Sequence, residues 1–211
     1  MNDGSSNAVR RALPEEREPL VAMFRRSFWD DPVIEFLLPN EMRRAKPMDA
    51  YMRMVLRYGF KRGRVNLVEG ENGPRVGSVW LPPDEAIPTT MGQIRAGFLP
   101  LLGANLNWAS QRKFFSLSNL IEHHHKEDVA RHHWYLWLLA SDVTEQGKGW
   151  GTKVLEQELR EADLAGMPCY VETGKERNLL FYEKQGFALK HELPLPGGGP
   201  PLWTMIRAPM A

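Results

Sequence analysis

Residues 136–152 read Leu-Trp-Leu-Leu-Ala-Ser-Asp-Val-Thr-Glu-Gln-Gly-Lys-Gly-Trp-Gly-Thr, and the fold turns on how this stretch is read. An apolar run gives way to a short polar bend, and Gln146-Gly147-Lys148-Gly149-Trp150-Gly151 then opens a helical pattern. Glycine tolerates unusual φ/ψ values and lets a ligand approach the backbone closely. The first amides of a helix lack intrahelical partners and sit at the positive end of its dipole, which suits a phosphate or pyrophosphate. Lys148 adds a full charge beside them. Gly147-x-Gly149 leads to Thr152 rather than a third glycine, so the dinucleotide fingerprint is missing; the P-loop spacing is missing too.

Working outward, Trp134–Ser141 is bulky and apolar at both alternating positions, as in a central strand covered on both faces. The helix over 150–165 stops at Gly166, with Pro168 beyond it. Cys169–Thr173 reads as the next strand and Glu176–Gln185 as the next helix; Phe187–Leu195 and Leu202–Arg207 read as a closing strand pair. Upstream, Ala8–Ala12 reads as a short strand, Pro14–Ser27 and Val33–Leu38 as helices, and Glu41–Lys61 as a methionine-rich helix. Asn72-Gly73 marks a hairpin between Arg64–Glu69 and Val76–Leu81. Residues 84–131 resist fine assignment, apart from a helical run over Gln111–His125. Strands alternating with helices predict an α/β fold with a mixed six- to seven-stranded sheet flanked by helices.

A chain of 211 residues that is 43% hydrophobic has enough apolar surface for one domain spanning 1–211. The 27 basic and 26 acidic residues nearly cancel, so no global field recruits nucleic acid or an anionic membrane. Cys169 is the only cysteine, which fits a reducing compartment. With no signal-peptide pattern and no long uncharged apolar run, a cytoplasmic protein is expected, as a monomer or homodimer.

Gln146-x-x-Gly149-x-Gly151, after a strand and before a helix, resembles the acetyl-coenzyme A pyrophosphate loop of the GCN5-related N-acetyltransferase superfamily. Asn178-Leu179-Leu180-Phe181-Tyr182-Glu183-Lys184-Gln185-Gly186-Phe187 resembles a second element of the same family. The HWYL run at 133–136 and PCYVET at 168–173 are similar to the puromycin N-acetyltransferase-like branch. The resemblance implies central strands splayed to hold acetyl-CoA, with residues 8–131 on the acceptor side and 132–207 on the acetyl-CoA side. It implies cofactor contacts from Leu139, Ala140, Ser141, Gln146, Gly147, Lys148, Gly149, Trp150, Gly151, Thr152, Asn178 and Phe181. The SFWDDP run at 27–32 likewise implies acceptor contacts from Phe28 and Asp31.

Direct acetyl transfer needs a neutral amine, a held thioester and an acid for the leaving thiolate. Tyr182 is the expected acid, on one helix face with Asn178. Glu172, a charged residue on an otherwise apolar strand, is the expected acceptor-side carboxylate, with Asp142 and His133 as weaker bases. The alternatives to a small-amine acetyltransferase are a silent acyl-CoA-binding sensor, a peptide or protein N-acetyltransferase, and a generic phosphate-binding module. His123-His124-His125 invites a metal reading, but adjacent helical side chains point about 100° apart. No metal is expected, and the three read as a solvated helix end.

Overall fold

The computed structural model describes residues 7–88, 93, 95, 106–129 and 132–210. Its frame is a seven-stranded mixed sheet in the order β1-β2-β3-β4-β5-β7-β6. The strands are β1 (Val9–Arg11), β2 (Arg64–Gly70), β3 (Gly73–Leu81), β4 (Trp134–Ser141), β5 (Cys169–Thr173), β6 (Ala188–Pro194) and β7 (Pro201–Arg207). The helices are α1 (Arg17–Ser27), α2 (Pro32–Leu37), α3 (Glu41–Arg62), α4 (Trp108–Asp128), α5 (Trp150–Leu164) and α6 (Arg177–Lys184). Among the described residues only β4 and β5 pair in parallel; the other neighbours run antiparallel.

Each face of the sheet has its own core. On one, Leu20 and Phe24 of α1 and Met52, Val55 and Leu56 of α3 pack over Leu67, Val79, Tyr135 and Leu138. On the other, Val154, Leu155, Leu159 and Ala162 of α5 cover Val76, Leu136, Val171 and Met205. The stripe expected on α5 is therefore present, with an addition that apolar periodicity misses. Glu158 is fully buried on the same face, where the Arg11 guanidinium donates to both Glu158 and Asn66 and Arg11 and Arg64 neutralise the carboxylate. A third cluster joins Val33 and Leu37 of α2 to Leu117 of α4 and Leu193, Leu195 and Leu202 of the β6–β7 hairpin.

Several boundaries differ from the sequence reading. The first helix divides into a 3-10 turn at Pro14–Glu16 and α1, because the Glu16 carboxylate accepts from the Leu13 amide (2.7 Å) and shapes a tight entry. The β2–β3 turn falls one residue early, with Gly73 at φ 109° already paired with Gly70. The helix expected over 111–125 extends to Trp108–Asp128, capped by the Asn107 side chain on the Ser110 amide (2.8 Å). His125 is buried against Tyr170 and is no solvated helix end. The irregular run at 88–103 lies largely outside the described residues. Among the described residues no helix is long and apolar enough to cross a membrane.

Gly63 joins α3 to β2 where a Cβ would stand 2.3 Å from the Trp80 carbonyl oxygen and 2.8 Å from Leu81 Cδ2. The backbone oxygen belongs to a paired strand, so it cannot step aside. Gly63→Ala is expected to destabilise the fold by ~1–3 kcal/mol, the usual range for over-packing, read as a lower urea midpoint at unchanged m-value.

Candidate active site

The site begins with a fault in β4. Along β3–β4, Val79 pairs with Leu138 and Trp80 with Leu136, so Trp137 is an extra residue on β4. A bulge of this kind switches which face the following side chains occupy. Before it, Tyr135 faces the α1–α3 core and Leu136 the α5 core; after it, Leu138 faces α1–α3 and Leu139 faces α5. The β4–β5 ladder runs only from Trp134–Cys169 to Leu136–Val171. Past that point the strands part. From residue 137 to 141, β4 has no strand partner on its β5 side among the described residues.

Glu172 stands at the parting. Its side chain is 7% exposed, and Oε1 has no hydrogen-bond partner. Burial pushes its pKa up to about 8, although a hydrogen bond from the Tyr135 hydroxyl favours the ionised form. His125 Nδ1 lies 4.0 Å from Oε1; the His125 ring stacks on Tyr170 at 4.2 Å, and its Nε2 is 2.7 Å from His133 Nε2. Burial, and then His133, lower the His125 pKa to about 3, so this ring is neutral at physiological pH. Tyr51, Tyr135, Trp137 and Met48 face the same cavity of about 250 Å³, walled on another side by Phe114, Leu117 and Ile121 of α4.

The structure brings many of the expected residues to this cavity. Leu139, Asn178 and Tyr182 line it, as do Phe28 and Asp31. Tyr182 packs edge-on against Phe181 and Phe187 in the α5 core, yet reaches the cavity because the strands have separated. Burial, then the nearby Glu172, raise its pKa, so the phenol keeps its proton. Asn178 Nδ2 donates to Thr173 Oγ1 (2.9 Å) and fixes the start of α6. Asp31 also caps α2, accepting from the Val33 and Ile34 amides at 3.0 and 3.3 Å. The two weaker base candidates are otherwise engaged: Asp142 holds Arg26 (3.0 Å) and the Thr144 amide (3.2 Å), while His133 is tied to His125. Cys169 is buried, with its thiol pushed up to about 12, so it offers no nucleophilic thiolate.

The glycine loop leads from β4 to α5. Gly147 and Gly149 sit at φ 78° and 82°, and a Cβ on either would meet nothing within 4 Å. Gly149 is the N-cap without a side-chain cap, and Lys153 N–H to Gly149 O (3.2 Å) is the first bond of the helix ladder. The amides ahead of it are free of that ladder and front an open approach, which fits an anionic pyrophosphate. Gly151 has another reason to be glycine: a Cβ there would press on Phe181 at 3.2 Å, so it is α6 that comes close. Two further expected residues are already engaged. Lys148 pairs with Glu145 (3.1 Å), and the Thr152 hydroxyl accepts from Gln185 (3.2 Å). Trp150 donates to Glu145 (2.9 Å) and lies under the Arg75 guanidinium at 5.2 Å. Gln146 is exposed in the loop, and Ala140 and Ser141 complete the unpaired run of β4, where the Ser141 carbonyl accepts from Ser27 Oγ (2.6 Å).

Sequence reasoning missed Tyr135, His125 and Arg75. Tyr135 and His125 could have been flagged as polar groups beside apolar runs; Arg75 carried no local signal, because the register that brings it to Trp150 is a long-range one.

A raised Glu172 pKa has a sign that can be measured. The folded chain keeps a proton between about 4.5 and about 8 that the unfolded chain releases, so this group's stabilising contribution is full below 4.5 and is lost as pH rises through 8. Glu172→Gln is expected to flatten that fall, with urea midpoints higher than wild type above pH 8 and the gap closing near pH 4.5. Parallel curves for the two proteins would contradict burial of this carboxyl.

No family model matches the chain. An uncharacterized N-acetyltransferase of Schizosaccharomyces pombe is 29% identical over 210 residues, covering 96% of this chain and 83% of the relative. A solved Corynebacterium glutamicum structure, described as histone acetyltransferase HPA2 and related acetyltransferase, superposes with TM-score 0.69 at 18% identity, covering 97% of each chain. A GCN5-related N-acetyltransferase from Rhodopseudomonas palustris gives 0.57 at 14% identity, covering 97% of this chain and 96% of its own. The splayed seven-stranded sheet and the glycine loop, with these likenesses, show that the chain has the fold of GCN5-related N-acetyltransferases, and the named relative supports an acyltransferase enzyme.

Proposed function

We propose that the chain, acting as one domain, is an acetyl-CoA-dependent N-acetyltransferase that modifies the primary amine of a small, partly apolar molecule. The observation that carries this reading is the buried Glu172 carboxyl, one oxygen unpartnered, at the point where β4 leaves β5. Residues 132–207 form the acetyl-CoA side and residues 8–131 the acceptor side. Acetyl-CoA supplies an activated acetyl group as its thioester. The amides at the start of α5 and the Gly147–Gly149 backbone take the pyrophosphate, and the unpaired edge of Leu139–Ser141 takes the pantetheine by main-chain pairing. Leu139 or Ala140 N–H stabilises the developing oxyanion.

The acceptor enters as an ammonium, which the ionised Glu172 attracts and deprotonates. Its pKa of about 8 leaves the carboxylate basic enough for an amine at neutral to mildly alkaline pH. The free amine forms the new N–C bond, the C–S bond breaks, the Tyr182 hydroxyl donates its proton to the departing sulfur, and the proton that the acylated nitrogen sheds restores the phenol. Phe28, Asp31, Tyr51 and the α4 residues shape the acceptor end. A cavity of about 250 Å³ suits a small molecule better than a folded protein surface, and the puromycin N-acetyltransferase-like resemblance puts aminonucleosides first among candidates. The same reading makes the protein a monomer or homodimer of the cytoplasm, with no nucleic-acid or membrane partner.

Three variants test the reading in a thiol-release assay over aminonucleosides, polyamines, amino acids and peptides. Tyr182→Phe is expected to keep acetyl-CoA affinity and lose ~10²-fold or more in kcat. Glu172→Gln is expected to remove the rise of kcat/KM with pH through about 8. Gly149→Val is expected to abolish acetyl-CoA binding in calorimetry, since a Cβ at φ 82° is strained and fills the phosphate approach. Tight acetyl-CoA binding with no turnover on any amine would instead mark a silent sensor.

A further inference from the structure

We infer that His124, Asp128 and His191 form a binding site for one divalent transition-metal ion, zinc by preference, which pins the end of α4 to the β6–β7 hairpin. Each residue offers one ligand atom, and the three atoms lie within 4.8 Å of one another. His124 and Asp128 are four residues apart on α4, so they share a helix face, and His191 comes from β6 across the gap. Adjacent histidines on a helix diverge, and the pairing that converges here skips His125 to reach an acid one turn on.

The donors are prepared for an ion. The Asp128 side chain is 3% exposed. Its Oδ2 accepts from the Thr204 hydroxyl (3.2 Å) and the Tyr170 hydroxyl (3.4 Å), which leaves Oδ1 turned to His191 Nε2 at 2.8 Å. A metal can replace the proton shared between those two atoms. His124 supplies the third donor: its Nδ1 is buried without a hydrogen-bond partner, and its ring lies 5.3 Å from that of His191. Supporting hydrogen bonds of the Thr204 and Tyr170 kind orient a ligating carboxylate. Two imidazoles and a carboxylate are a donor set for zinc or a neighbouring transition metal rather than for magnesium or calcium. Bonds of ~2.0–2.2 Å in a tetrahedral site place ligand atoms about 3.4 Å apart, so closure needs side-chain rotations and no movement of α4. The half-exposed His191 leaves a way in, and water completes the fourth position.

The site is separate from the proposed chemistry, yet His125 and Ile121 on the same helix wall the cavity. An ion here fixes the wall from behind.

The test uses the untagged full chain, stripped with chelator, titrated with Zn²⁺ by calorimetry and with Co²⁺ by visible absorption. One equivalent should bind, with the intense d–d bands of four-coordinate cobalt and a Zn²⁺-dependent rise in Tm. His191→Ala should weaken binding by more than ~10²-fold, and Thr204→Val, which removes only a supporting bond, by ~10–100-fold. His124→Gln serves in place of His191→Ala if that variant does not fold. A double variant of the exposed His123 and His132 should bind as wild type does. The assignment is overturned if no stoichiometric ion binds, if His191→Ala and His124→Gln bind normally, or if the surface double variant is the one that loses the metal.

Discussion

Glu172 and the separation of β4 from β5 depend on each other. A parallel ladder continuing past Leu136 and Val171 would close the sheet over the carboxyl and leave it no neighbour but apolar side chains. The extra residue at Trp137 prevents that by turning β4 out of phase, and the gap it opens is filled by polar groups from three elements: Tyr135 from β4, His125 from α4 and Tyr182 from α6. The Tyr135 phenol solvates the carboxyl in place of water, while Oε1 is left without a hydrogen-bond partner. That compromise explains a pKa lifted to about 8, a range useful for exchanging protons with an amine, where full desolvation would hold the group neutral.

The two cores divide the labour around this gap. The α5 face is regular, with a long helix packed along the sheet and a charged centre at Glu158 that Arg11 and Arg64 neutralise. The α1–α3 face is rich in methionine and aromatic side chains, including Met48, Met52, Tyr51 and Tyr58, which adapt to irregular shapes more readily than branched aliphatics do. Under the proposed function, the regular side is the one that serves acetyl-CoA and the adaptable side the one that serves the acceptor.

Much of the frame was legible in the sequence because its signals are local. The glycine loop, the Gly166 and Gly186 stops, and the apolar stripe of α5 each report on their own few residues, and the resemblance joined them into one architecture. Gly151 shows where local reading misleads. It belongs to the loop motif, but it is the ring of Phe181, thirty residues on, that leaves it no room for a side chain. The bulge at Trp137 was invisible for the same reason, since a bulge is a relation between two strands and β3 lies more than fifty residues upstream. His125 was read as part of a solvated helix end and His133 as a weaker base candidate, because neither neighbourhood reveals that each ring is the other's partner.

The outer strands bear on how the molecule behaves in a crowd. β6 is the rim of the sheet beyond β7, and most of its side chains are in water, among them Leu189, Lys190 and Glu192. The opposite rim, β1, is three residues long and carries Arg10 and Arg11, the first held between Glu16 and Glu69. A bare rim of backbone amides and carbonyls invites a neighbouring chain to add its own strand. Here one rim is broken by an irregularity between Leu189 and His191 and studded with charge, and the other is too short to template a ladder. Chains with these rims resist stacking edge to edge into fibrils, so concentrated solutions of the folded protein should stay clear of that route to aggregation.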